Sequence, residues 1–96
     1  MRVLLVEDNP ELVSLLIKGL GQSGFSADSV GTVGDALHVL ATMKYAAIVL
    51  DLGLPDEDGL TLLREIRRRH DTTPLLVLTA RDGAQDLLLA RRQRRE

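Results

Sequence analysis

The sequence predicts an α/β domain built on a parallel sheet, and three observations carry that prediction. Residues 3–6, 46–50 and 75–78 form continuously apolar, partly β-branched runs, the composition of strands covered on both faces. Between these runs the apolar positions switch to a helical period. Strand and helix alternate along the whole chain, which calls for right-handed crossovers with helices on both faces of the sheet.

The first run, 3–6, ends at Glu7 and Asp8. Asn9 followed by Pro10 places a cap before a proline at the first helical position. Leu12, Val13, Leu16, Ile17 and Leu20 then share one helical face, and Gly24 can end that helix. Residues 25–30 mix Ser26, Asp28 and Ser29 with apolar residues between Gly24 and Gly31, the pattern of an edge strand. Thr32 with Asp35 resembles a capping box ahead of Val33, Ala36, Leu37 and Leu40. The third strand, 46–50, leads to Asp51 and to a loop at 53–58 that carries Pro55 and three acids. Leu60, Leu63 and Ile66 mark a third helix that closes on Arg67, Arg68 and Arg69. A loop at 71–74 precedes the fourth strand, 75–78, and a last helix is expected from about Gln85 into the C-terminal arginines.

Ninety-six residues with 45% hydrophobic content suffice for one domain, 1–96, with a single core. The absence of cysteine removes disulfides and thiolate metal sites. The N-terminal apolar run is too short for a signal peptide or a membrane span, so a soluble, cytoplasmic protein without a membrane partner is expected. Twelve basic and fourteen acidic residues give a formal net charge of −2, which recruits neither nucleic acid nor an anionic membrane in bulk. Local charge is less even, because Arg91, Arg92, Arg94 and Arg95 crowd the C-terminus. That tail reads as a solvated helix end, as a nucleic-acid contact, or as residues foreign to the fold. Direct DNA binding ranks behind the other two, since no aromatic residues or helix-turn-helix segment accompany the arginines. His38 and His70 are far apart and read as surface or packing residues.

In an open parallel sheet, ligands bind beyond the carboxyl ends of the strands. The pair Glu7-Asp8, then Asp51, then Thr79 each follow an apolar run, so all four residues should converge on that rim. Taken singly, each acid could simply cap a helix, and a threonine at a strand end is commonplace. Taken together, three carboxylates without a counter-ion would repel one another and raise the pKa of at least one. Mg²⁺ suits such a set, because it accepts a few oxygen ligands and keeps sites for water or phosphate. Asp51 could then attack a phosphoryl donor and form an acyl phosphate.

At these residues the sequence resembles a known family. Val-Glu-Asp-Asn after the first strand, Asp51-Leu-Gly-Leu-Pro-Asp-Glu-Asp-Gly59 after the third and Leu-Thr-Ala-Arg after the fourth look like response-regulator receiver domains of two-component signalling. The resemblance is closest to receivers of winged-helix transcription factors and covers residues 1 to about 86. It implies a flavodoxin-like parallel sheet of order 2-1-3-4, with the family's fifth strand and fifth helix missing and the domain incomplete at its C-terminus. It further implies that Asp51 accepts a phosphoryl group from a sensor histidine kinase. Glu7, Asp8, Asp51 and the Gly53 carbonyl would hold Mg²⁺. Thr79 would be the switch hydroxyl, with Ala80 leaving it space, and Pro55 and Gly59 would shape the loop.

The family's lysine on strand five has no counterpart, since Lys18 and Lys44 lie elsewhere, and Arg81 on the rim is a solvated loop charge rather than its substitute. A missing fifth strand would leave strand four an unpaired edge and uncover apolar residues of strands three and four. A homodimer is therefore expected, formed by docking that face or by exchanging the C-terminal helix. The expected function is a Mg²⁺-dependent phosphoacceptor that regulates transcription through dimerisation and is not an enzyme beyond assisting its own phosphorylation and dephosphorylation. The alternative is a phosphorylation-incompetent module that only dimerises. A metal-dependent phosphatase ranks last, because glycine stands at position 53 where a second aspartate would be needed.

Overall fold

Parallel pairing organises the chain, a computed structural model describing residues 1–79 and 86–89. The elements are β1 (Arg2–Val6), α1 (Pro10–Gln22), β2 (Ser26–Val30), α2 (Val33–Leu40), β3 (Ala47–Asp51), α3 (Gly59–Arg68), β4 (Leu75–Thr79) and β5 (Asp86–Leu89). The sheet order is β2-β1-β3-β4-β5, with β1 parallel to β2 and β3, and β3 parallel to β4. The 2-1-3-4 order and the edge position of β2 are thus as the sequence implied. No helix among the described residues is long and apolar enough to cross a membrane.

The C-terminal expectation needs correction. Instead of a helix starting near Gln85, Asp86–Leu89 forms a short fifth strand antiparallel to β4, with Leu76 opposite Leu89 and Thr79 opposite Asp86. An edge strand offers a row of unpaired N–H and C=O groups, and the backbone of 86–89 answers it. Accordingly β4 is not an unpaired edge, and the described residues contain no C-terminal helix that two copies could exchange. Ala80, Arg81 and the arginines at 91–95 lie outside the described residues.

Local chemistry sets the element boundaries. The Asn9 side chain accepts hydrogen bonds from Glu11 N at 3.0 Å and Leu12 N at 3.2 Å, capping α1 ahead of Pro10. That helix ends with Phe25 N bonded to Leu20 O, Gly24 N bonded to Gly21 O, and Gly24 at φ +89°. This is the left-handed terminus for which glycine is favoured. The α3 terminus repeats the pattern through Asp71 N to Ile66 O and His70 N to Arg67 O, but His70 adopts the positive φ, 62°. Arg67, Arg68 and Arg69 do sit at that helix end. Arg68 and Arg69 pair with Glu65, while the Arg67 guanidinium donates to the carbonyls of Asp71 and Thr73 and pins the turn into β4.

The main core lies between the sheet and the α2/α3 layer. Leu4, Val6, Ile48, Leu50, Leu75 and Val77 from the strands meet Val33 and Ala36 of α2 and Leu62 and Ile66 of α3. Each fully buried Leu or Ile there contributes about 1.5–3 kcal/mol relative to exposure. The opposite, α1 face is covered less completely. Val3 and Leu5 are buried, but Val49, Leu76 and Leu78 are only half-buried, and α1 has no fully buried residue. At the amino end of the sheet, Asp28 accepts from Tyr45 Oη at 2.7 Å and from Arg2 Nη2 at 2.9 Å, tying β1, β2 and the approach to β3 together. Burial, assisted by the Asp28 charge, pushes the Tyr45 phenol up to about 12.

Gly59 opens α3 where the chain doubles back on β3, and its N–H bonds Leu52 O at 3.0 Å. Its φ is not positive, so the reason for glycine here is proximity rather than conformational freedom. A Cβ at Gly59 would stand 2.7 Å from Asp51 O and 2.8 Å from Leu52 Cα, both backbone atoms. Gly59→Ala should therefore lower unfolding free energy by about 1–3 kcal/mol, through forced backbone displacement. Gly19→Ala, inside α1 with nothing within 4 Å of the added methyl, should raise it by about 0.5–1 kcal/mol. Urea denaturation of both variants checks the pair, and an unaltered midpoint for Gly59→Ala would remove the steric account.

Candidate functional site

Sheet register brings the strand-end acids together. Val3 to Val6 of β1 pair with Ala47 to Leu50 of β3, so Glu7 emerges beside Asp51. Glu7 N also bonds Val30 O at 2.9 Å, which carries the β1–β2 pairing one residue past the strand and holds Glu7 in the sheet. One carboxylate oxygen from each of Glu7, Asp8 and Asp51 lies within 4.8 Å of the others. In β4, Leu78 pairs with Asp51, so the backbone of Thr79 stands one step further along the same rim.

The three acids differ in surroundings. Glu7 is buried at 5% exposure, Asp51 is half-buried and Asp8 is exposed. Burial pushes the Glu7 carboxyl above its ordinary value. The Asn9 N–H bonded to Oε2 at 3.0 Å opposes that rise, and the negative charges of Asp51 and Asp8 add to it. The repulsion expected from the sequence is present, with burial as the larger influence on Glu7. Such a set of hard oxygen donors, one of them buried, fits a small divalent cation that offsets the converging charge.

Gly53 lies against this cluster. A Cβ at position 53 would come 3.9 Å from Asp51 Oδ2, and Gly53 bridges to Asp58 across its own loop. Asp58 in turn caps α3, accepting from Leu60 N at 2.9 Å. On the other side Gly31, after β2, packs against Asp8, whose Cα and Cβ are each 3.8 Å from where a Gly31 Cβ would stand. Asp56 accepts from Val33 N at 3.0 Å and from Gly34 N at 3.1 Å, linking the loop to α2. Sequence reading missed this role for Asp56, because its partners are 23 and 22 residues away and no local spacing announces them. A cavity of about 580 Å³ lined by residues including Lys44, Tyr45, His70 and Asp71 sits at the opposite, amino end of the sheet. It shares no residue with the carboxylate cluster and supplies none of its chemistry.

The comparisons with known proteins agree with this geometry. The family described as the response regulator receiver domain matches residues 3–93. The transcriptional regulatory protein BasR of Escherichia coli (strain K12) is 46% identical over 86 residues, which cover 90% of this chain and 39% of that protein. The transcriptional activator protein IrlR of Burkholderia pseudomallei (strain 1026b) is 48% identical over the same length, covering 90% of this chain and 37% of IrlR. This chain thus spans well under half the length of these curated relatives. Among solved structures, the response regulator protein TrrA of Thermotoga maritima, in complex with Mg(2+)-BeF, superposes with a TM-score of 0.78 at 28% identity, covering 88% of this chain and 76% of that one. With strand order, rim acids and family match in accord, the chain belongs to the response regulator receiver domain family of two-component signalling.

Proposed function

We propose that this chain is a phosphoacceptor module in which Asp51 takes the phosphoryl group from the phosphohistidine of a sensor histidine kinase. The observation that carries this reading is the meeting of Glu7, Asp8 and Asp51 oxygens within 4.8 Å. A carboxylate oxygen of Asp51 forms the new O–P bond while the N–P bond of the donor breaks, its electron pair returning to the imidazole nitrogen. Glu7, Asp8, Asp51 and the Gly53 carbonyl would hold Mg²⁺, which offsets charge on the transferring group. Support for the cation comes from the donor set itself and from TrrA, whose solved form is a complex with Mg(2+)-BeF. Asp51 is only half-buried, which is compatible with approach of a donor. Thr79, whose backbone ends β4 one step beyond the Leu78–Asp51 pair, would supply the switch hydroxyl. The output is signalling rather than turnover of a substrate, and by analogy with the relatives named a transcriptional regulatory protein and a transcriptional activator, that signal bears on the control of transcription.

One observation favours a second reading, an interaction module that is not phosphorylated. Lys18 lies in α1 and Lys44 lines the cavity at the far end of the sheet, so neither lysine of the 96 residues stands at the rim to meet a phosphoryl group. The two readings separate cleanly. Incubation with Mg²⁺ and a small-molecule phosphodonor should add a single phosphoryl mass, seen by intact-mass spectrometry, and both Asp51→Asn and removal of Mg²⁺ by chelation should abolish it. Modification that persists in Asp51→Asn would defeat the assignment of the acceptor, and no modification at all would leave the interaction module standing.

Self-association through the α1 face belongs to both readings. Leu15 on α1 is 66% exposed, and Val49, Leu76 and Leu78 beneath that face are only partly covered. Covering this surface with a second copy removes apolar area from water. Sedimentation velocity at micromolar concentration should show a dimer that Leu15→Glu converts to a monomer. A well-folded monomer of the parent chain under those conditions would remove the proposal.

A further inference from the structure

The first turn of α2 takes its hydrogen-bond acceptors from two sources. Thr32 Oγ1 accepts from Asp35 N at 3.0 Å, as a local cap does. The two preceding amides, Val33 N and Gly34 N, are taken by Asp56 Oδ1 and Oδ2 from across the molecule. Both N–H groups help to hold the Asp56 carboxyl below its ordinary value, Val33 first, so it is ionised at neutral pH. Val33 and Ala36 are fully buried, which makes this end of α2 a fixed post. Apart from half-buried Leu54, residues 53–58 are exposed and contribute little packing of their own. The loop that holds Gly53 against the Asp51 carboxylate is thus tied to α2 through Asp56, while Gly31, just before that same helix, rests on Asp8. One helix end braces both flanks of the carboxylate cluster.

We propose that Asp56 is a positioning residue: by gripping the first two amides of α2 it fixes the 53–58 loop against Asp51 and so sets how tightly the Glu7, Asp8 and Asp51 cluster holds a divalent cation. Its effect on affinity rests on the reading of that cluster as a Mg²⁺ site; its effect on the loop does not. Asp56 itself is not placed among the cation's ligands. It acts on Gly53 through the 53–58 loop, with the α2 amides serving only as the anchor, as the outer partners of a metal site act on the ligands they orient.

Mg²⁺ titration by calorimetry, at a temperature where every variant is folded by circular dichroism, compares the parent with Asp56→Ala, Asp56→Asn and Thr32→Ala. Asp56→Ala should weaken Mg²⁺ binding on the order of tenfold, the usual scale for an outer partner. Asp56→Asn keeps one oxygen acceptor and should recover part of the loss. Thr32→Ala removes a cap from the same helix turn without touching the loop and should leave the affinity at the parent value. Equal affinities throughout, or an equal loss in Thr32→Ala, would overturn the proposal and reduce Asp56 to a cap. If the parent binds no Mg²⁺, the cation reading falls, and hydrogen exchange decides the loop's fate by itself. Faster exchange in Asp56→Ala that reaches the Gly59 amide, bonded to Leu52 O across the loop, sustains the positioning role, whereas a change confined to residues 33–35 overturns it. Should Asp56→Ala not fold, the same measurements on Asp56→Asn carry the test, with parent-like behaviour counting against the proposal.

Discussion

Where β1 and β3 run side by side in parallel, the residues that follow their apolar runs are obliged to meet. Val6 pairs with Leu50, and that register alone delivers Glu7 to Asp51. Slipping the pairing by one residue would turn every side chain of the strand to the opposite face. The buried set Leu4, Val6, Ile48 and Leu50 forbids it, because one face of both strands is packed against α2 and α3. Core packing and site geometry are therefore one constraint. The apolar residues that stabilise the fold also hold three like charges together, and hydrophobic burial offsets the electrostatic cost.

Glu7 carries a cost of its own. Its carboxyl is raised by burial, so the folded state holds the proton more tightly than the unfolded chain does. For an acid with a raised value the sign runs against the fold: stability declines as pH climbs from the ordinary 4.5 through the raised value of Glu7, and is lowest once the carboxylate has formed. A bound cation would reverse part of this loss by favouring the ionised form. Once ionised, the buried Glu7 carboxylate keeps the Asn9 N–H as its partial relief.

Much of this architecture is written in local pattern. The apolar runs located β1, β3 and β4 to within a residue, and Asn9-Pro10, Thr32 and Gly24 marked helix ends through chemistry that acts over three or four residues. The placement of Glu7, Asp8 and Asp51 on one rim was legible because topology converts "directly after a strand" into a position in space. What could not be read depended on distant partners. Leu87, Leu88 and Leu89 suit a helix as well as a strand, and only the open edge of β4 decides between them. Gly59 was recognised as loop-shaping, but its reason is the backbone of Asp51 and Leu52 lying less than 3 Å from an absent methyl. Of the three acids at 56–58, Asp58 caps its own helix and Asp56 caps another. Charge and spacing in the sequence give those two residues the same appearance.

The unequal covering of the sheet has a consequence for how the domain breathes. The α1 helix has no fully buried residue, so peeling it from the sheet sacrifices little packing compared with disrupting the α2/α3 side. Excursions of α1 should accordingly cost less than openings of α2 or α3. They do not stop at the surface, because Asn9 both caps α1 through its side chain and donates its own N–H to the buried Glu7 carboxylate. Each time the helix lifts away from its cap, the deepest acid of the cluster stands to lose a stabilising donor, so the tightness of one peripheral helix is written into the electrostatics of the rim.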